Sequence, residues 1–132
     1  MRAKLFVLRA CHRVLKPKGR IAFYTIFVSP GLSAAAYGRI MKFWPSASAG
    51  SRSHSEMLES AGFIDVDEAD VTKQYKATAR GWLEGRRRRY DGLERAMGKA
   101  ALAGKIDEGE RTLESLKDGL LRRSLLTARR PA

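Results

Sequence analysis

The tightest constraint on this chain is the run Arg13-Val14-Leu15-Lys16-Pro17-Lys18-Gly19-Arg20 and the stretch Ile21 to Val28 that follows it. Pro17 cannot continue a helix, and it pushes Lys16 to extended backbone. Gly19 is the residue expected to supply the turn. Upstream, Leu5, Leu8, Cys11 and Leu15 recur at helical spacing with Val14 beside them, which predicts an amphipathic helix over 3–15. Downstream, residues 21–28 carry no charge and are rich in β-branched and aromatic side chains. That composition predicts a core strand covered on both faces. A helix, a Pro-x-Gly turn and a core strand form the second half of a βαβ unit, whose first strand would lie before residue 1.

Ser29-Pro30-Gly31 ends the strand. In open α/β sheets, ligands bind beyond the carboxyl ends of the strands, so residues 29–52 fall at the functional edge. They open with an Ala-rich helical piece, 32–43, followed by Trp44; Pro45 stops it, and Ser46–Ser53 is a loop of small residues. An aromatic helix followed by such a loop suits a lid; the same aromatics could equally pack on the sheet. Ser53 and Glu56 form a capping box that opens a helix over 54–61. Gly62 then ends it, with Phe63 placed to touch Leu58. Ile64-Asp65-Val66-Asp67 alternates and predicts a strand over 63–68 with one wet face. Its acids, with Glu68 and Asp70, read as a solvated edge rather than a metal or base cluster.

From Tyr75, residues Ala79, Trp82, Arg86, Tyr90, Leu93 and Met97 keep one helical face. Gly104 is expected to end that helix, and Asp107 and Glu110 to open a second one carrying Leu113, Leu116 and Leu120. The two make an antiparallel pair over 75–120, in which Trp82 could serve as core. A last strand, 121–130, sets Arg123, Leu125 and Thr127 against Ser124, Leu126 and Ala128.

The opening run resembles a signature of the class I S-adenosylmethionine-dependent methyltransferases, which have a helix, Arg-Val-Leu-Lys-Pro-Gly-Gly and the fifth strand of their sheet. Here Lys18 stands where that family has its first glycine. Ser55 to Phe63 is similar to the family's last core helix and its exit into strand six, and Arg123 to Pro131 to its terminal strand. The resemblance implies an α/β chain, the C-terminal half of a Rossmann-like methyltransferase sheet. Strands 21–28 and 63–68 would run parallel with 121–130 antiparallel between them, and the helix pair would be inserted before the last strand. All of 1–132 would then be one partial methyltransferase domain, with 29–52 as a lid segment. It implies a small-molecule methyl acceptor held by Tyr37 and Trp44 on one wall and Trp82 and Arg86 on the other. No catalytic residue is assigned by it. It also implies S-adenosylmethionine as methyl donor. The family's Gly-rich turn and ribose-binding acid have no counterpart here: the twelve glycines are never spaced Gly-x-Gly, and no acid precedes Glu56. Weak or no cofactor binding is therefore expected from this chain alone, which reads as a truncated gene product or an orphan module.

The charge distribution supplies a rival reading. The net charge is +12, and residues 1–55 hold ten Lys/Arg and no acid. Such a face, with Arg86 to Arg89, could grip anionic polymer or a partner protein. The four arginines point to all sides of their helix, however, which argues against one base-reading surface. A single cysteine, Cys11, excludes an internal disulfide, and only His12 and His54 could join it around a metal. No membrane span or signal peptide is visible, so a reducing cytoplasm is the expected compartment. In the family's full sheet strand 21–28 is interior. Alone it has a free edge with no charge and no proline, open to a separate N-terminal half or to the same strand of a second copy.

Overall fold

A computed structural model describes residues 2–44 and 53–132. The chain runs through helix α1 (Arg2–Val14), strand β1 (Arg20–Val28) and helices α2 (Ala34–Phe43) and α3 (His54–Ser60). Strand β2 (Ile64–Asp70), helices α4 (Thr72–Arg88), α5 (Tyr90–Met97) and α6 (Lys99–Lys117), and strand β3 (Leu121–Arg129) complete it. The sheet order is β1-β3-β2, and β3 is antiparallel to both neighbours. β1 and β2 therefore run parallel with the last strand between them, as expected.

Local signals work out much as their chemistry requires. Ser53 accepts from the Glu56 amide at 3.1 Å, and the Glu56 carboxylate accepts from the Ser53 amide at 3.3 Å. At the other end of α3, the Phe63 amide reaches Leu58 O and the Gly62 amide reaches Glu59 O, with Gly62 at φ +96°. That is the paired-bond termination that a left-handed glycine permits.

The Pro17 turn is built differently from the expectation. Lys18, not Gly19, takes the left-handed backbone, at φ 65°. Gly19 is required for another reason: a Cβ there would lie 2.7 Å from the Lys16 carbonyl oxygen. The turn is also bound to the far end of the chain. Lys18 N donates to Arg130 O, Arg130 N donates to Gly19 O, and the Arg130 guanidinium donates to the Leu15 carbonyl.

Two cores lie on opposite faces of the sheet. On one face α1 and α3 bury Leu8, Met57, Leu58, Phe63, Leu126 and Ala128, with Cys11 packed against them. His12 sets its ring edge-on to Phe63 at 5.1 Å, so it serves packing. On the other face Val28, Ile40, Tyr75, Leu83, Leu116 and Leu121 form a core with α2, α4 and α6. That second core covers only the carboxyl end of β1. Ala22, Tyr24 and Ile26 are exposed, Tyr24 by 56%. The expectation that β1 is covered on both faces is thus corrected: α4 and α6 begin and end where β1 ends, and none of the described helices lies over its first half on that face. Along its free edge, Val7, Leu8, Cys11, Phe23 and Thr25 line an apolar groove of about 580 Å³.

β2 carries a bulge. Ile64 pairs with Arg129 and Asp67 with Thr127, leaving Asp65 at φ 53°. Asp tolerates that region, and the bulge aims its carboxylate at Arg129, 2.7 Å away. This offsets the like charge opposite, since Arg129 faces Arg20 across the β1 ladder.

The inserted segment departs from a simple pair. α4 breaks at Arg89, and the next break is Gly98, at φ +90°; Gly104 lies inside α6. Leu102, fully buried, holds α6 through Gly104, whereas Gly98 takes a backbone that other residues avoid. The buried face of α4 is Tyr75, Ala79 and Leu83. Trp82 is 54% exposed, which removes it from the core.

Two outcomes follow. Lys18→Gly should raise the stability, followed by the urea midpoint, by up to about 1 kcal/mol, because the left-handed penalty exceeds glycine's added chain entropy. Gly19→Ala should lower it by roughly 1–3 kcal/mol, since a backbone carbonyl cannot move aside cheaply. The second concerns His54, whose Nε2 lies 3.0 Å from Thr25 Oγ1. Burial, and then the Lys4 charge, lower its pKa from 6.5, with Glu68 opposing. The folded chain thus favours the neutral ring. The associated stability is complete above 6.5 and is lost as pH falls through the lowered folded value. Urea midpoints should fall across that interval, and His54→Gln should flatten the slope.

Candidate functional site

Three helices meet beside the carboxyl end of β1. Trp44 caps the end of α2 and packs against the second core. α4 contributes Tyr75, Ala79, Trp82 and Arg86, and α6 contributes Lys105, Glu108, Gly109 and Thr112; together they enclose a cavity of about 130 Å³. The Arg86 guanidinium lies against α6 at Gly109, where a Cβ would make only ordinary contact with Nη1, at 3.5 Å. Lys105 reaches Glu108 at 3.7 Å across the rim, and Arg111 covers the Phe43 ring at 4.8 Å, tying α2 to α6. On the outer side of α4, Gly81 and Gly85 leave a shallow groove of about 380 Å³ beside Trp82 and Arg86.

The structure therefore brings together Trp44, Trp82 and Arg86. Tyr37 does not line the cavity; it stands 40% exposed on α2. The lid reading of 29–52 depends on residues 45–52, which lie outside the described residues, as does the stop at Pro45. Arg86 to Arg89 do not form one patch. Arg86 lines the cavity, Arg87 pairs with Glu110, and Arg88 and Arg89 are exposed.

Sequence reasoning missed Lys105, Glu108 and Thr112, whose only signal was a one-turn spacing on a helix drawn too short. It also missed a cluster next door. The Arg123 guanidinium lies between two tyrosines, 4.0 Å from the Tyr24 centroid and 4.8 Å from that of Tyr75. Its Nε is buried and has no hydrogen-bond partner among the described residues. Burial raises the Tyr75 pKa, with the Arg123 charge opposing. The signal was an arginine in a strand whose neighbours Leu121, Ser124 and Leu126 are buried.

Among the described residues no three His, Cys, Asp or Glu side chains could hold a metal ion, and no helix is long and apolar enough to cross a membrane. A nucleoside cofactor needs a pocket of several hundred Å³ with groups for its polar parts. The 130 Å³ cavity is too small, and the 580 Å³ groove is almost wholly apolar.

No protein-family model matches the sequence, and no curated protein matches it. Solved structures do. Phosphoethanolamine N-methyltransferase 2 of Haemonchus contortus, bound to phosphomonomethylethanolamine and S-adenosylhomocysteine, superposes with a TM-score of 0.81 at 16% identity, over 97% of this chain and 30% of its own. A cyclopropane synthase of Mycobacterium tuberculosis gives 0.73 at 16% identity, over 96% of this chain and 49% of its own. The [4+2]-cyclase SpnF gives 0.68 at 21% identity, over 100% of this chain and 46% of its own. The chain thus spans half or less of the length of each of these proteins. With its sheet order and helix placement, the chain has the fold of the S-adenosylmethionine-dependent methyltransferases, of which it carries a part.

Proposed function

We propose that this chain is the acceptor-facing part of a small-molecule methyltransferase that uses S-adenosylmethionine. The observation that carries the reading is the meeting of Trp44, Trp82 and Arg86 in one cavity at the carboxyl end of β1, on a methyltransferase fold. Such sheets bind ligands at that end. Aromatic walls suit a partly apolar acceptor, and Arg86 suits a carboxylate or phosphate on it.

Fold alone does not fix the chemistry, as the cyclase with the same fold illustrates. The cofactor's cradle is assigned to a polypeptide segment outside these 132 residues, so no step of methyl transfer is assigned here. That segment would add a strand along the free edge of β1 and cover the groove lined by Val7 and Phe23. A second copy fits there less well. Residues 1–55 hold ten Lys/Arg and no acid, so two such faces repel.

The test is co-expression with the reading frame immediately upstream of Met1, followed by methyl-transfer assays over small acceptors that bear a carboxylate or phosphate. Trp44→Ala and Arg86→Ala are each expected to raise the acceptor KM about tenfold, a loss of about 1.4 kcal/mol of binding, with a smaller change in kcat. Unchanged KM in both variants removes the cavity from the reading. Absence of transfer in a well-folded complex removes the enzyme assignment itself.

A further inference from the structure

Arg123 is placed unlike the other β3 arginines. Arg122 is 3.8 Å from Asp70, and Arg129 is 2.7 Å from Asp65. Among the described residues, Arg123 has no carboxylate within 4.0 Å. Instead a tyrosine from β1 and one from α4 face its guanidinium. Cation–π contact of this kind holds a cation in place without using its N–H donors. It also leaves Nε buried without a partner among the described residues, an unmet donor that a ligand would satisfy.

The backbone under this side chain is firmly held. Arg123 N donates to Thr72 Oγ1 at 3.1 Å, and Val71 N donates to Arg123 O at 2.9 Å. With rings over the guanidinium, a ligand can approach only in its plane, along the Nε–Nη edge. That edge is the fork that matches two oxygens of a carboxylate or phosphate. The way in is on the Tyr24 side. Tyr24 is 56% exposed on the uncovered half of β1, so that side of the guanidinium is the one solvent can reach. Tyr75 also lines the cavity of Trp44 and Trp82, so the site lies one ring away from it.

We infer that Arg123, held between Tyr24 and Tyr75, is an oxyanion-binding residue that takes the carboxylate or phosphate of a small-molecule ligand. This deepens the acceptor reading by placing a second anchor across Tyr75 from Arg86. Anion binding can be read without methyl transfer, so this inference and the enzyme assignment can fail separately.

The experiment is a titration of the full 132-residue chain, labelled with nitrogen-15, following the arginine Nε–H resonances. One arm uses inorganic phosphate, a second uses acetate, and a third uses chloride at equal ionic strength. The Arg123 signal should shift and saturate with phosphate, with acetate or with both; the responding arm tells a phosphate ligand from a carboxylate. Arg123→Lys should weaken binding about tenfold, since a point ammonium cannot reproduce the fork. Arg9→Lys, on α1 across the sheet, should leave the Arg123 shift in place. A linear drift shared by all three salts, or an unweakened midpoint in Arg123→Lys followed at the neighbouring backbone amides, overturns the assignment. If Arg123→Lys fails to fold, the wild-type resonance still decides, and Tyr24→Ala serves as the second variant. Loss of this exposed ring should change the midpoint of a true site and leave non-specific screening unaltered.

Discussion

The sheet depends on β3. It pairs with β1 on one side and with β2 on the other, and those two strands do not touch. Every interstrand hydrogen bond therefore has β3 as one partner. Its faces are equally committed. Leu126 and Ala128 enter the core under α1 and α3, while Leu121 enters the core under α4 and α6. Its last residues reach further, since Arg130 closes the Pro17 turn and caps the carbonyl of Leu15. Alternation of side chains along one strand thus joins two cores, a turn and a helix end.

Unequal covering of the two faces places the candidate site. α1 and α3 cover their face well enough to bury Leu126 completely. The inserted helices gather at the carboxyl end of β1, and their meeting with Trp44 creates the cavity there. The first half of β1 is left open on that face, which is why Tyr24 can stack on Arg123 from outside. The cavity, the arginine and the open strand face are three results of one placement of α4 to α6.

What could be read from the sequence was local. The capping box at Ser53, the exit at Gly62 and the stop at Pro17 each depend on residues a few positions apart. The strand order came from a family resemblance and agrees with the observed pairing. What escaped depends on distant partners. Nothing near Gly104 marks it as tolerated and Gly98 as the break; Leu102, packed in a fold contact, decides that. Asp65 takes a bulge because Arg129 waits opposite. Trp82 and Leu83 are adjacent, and a rotation of one residue position put the wrong one in the core. Three of the four proposed acceptor residues do line one cavity, because helical spacing carries Trp82 and Arg86 to one side. Tyr37 does not, since Ile40 takes the inward position of α2. Arg123 gained its setting from three separate elements, a combination that spacing along the chain cannot express.

The pairing of β3 also sets an order of events. Its partners in β1 lie about one hundred positions away in the chain, as the Arg20 and Arg129 pair shows, whereas α4, α5 and α6 follow one another directly. Closing long loops is slow and local helix contacts form early, so the three helices should assemble while β1 and β2 wait. During that interval β1 is bare along both edges instead of one, and its uncharged run is at its most adhesive. Pulse-labelled amide exchange should find α6 protected before β1; simultaneous protection would mean that the sheet is assembled in the first collapse. Chain concentration during refolding would then govern yield more than the stability of the finished fold does.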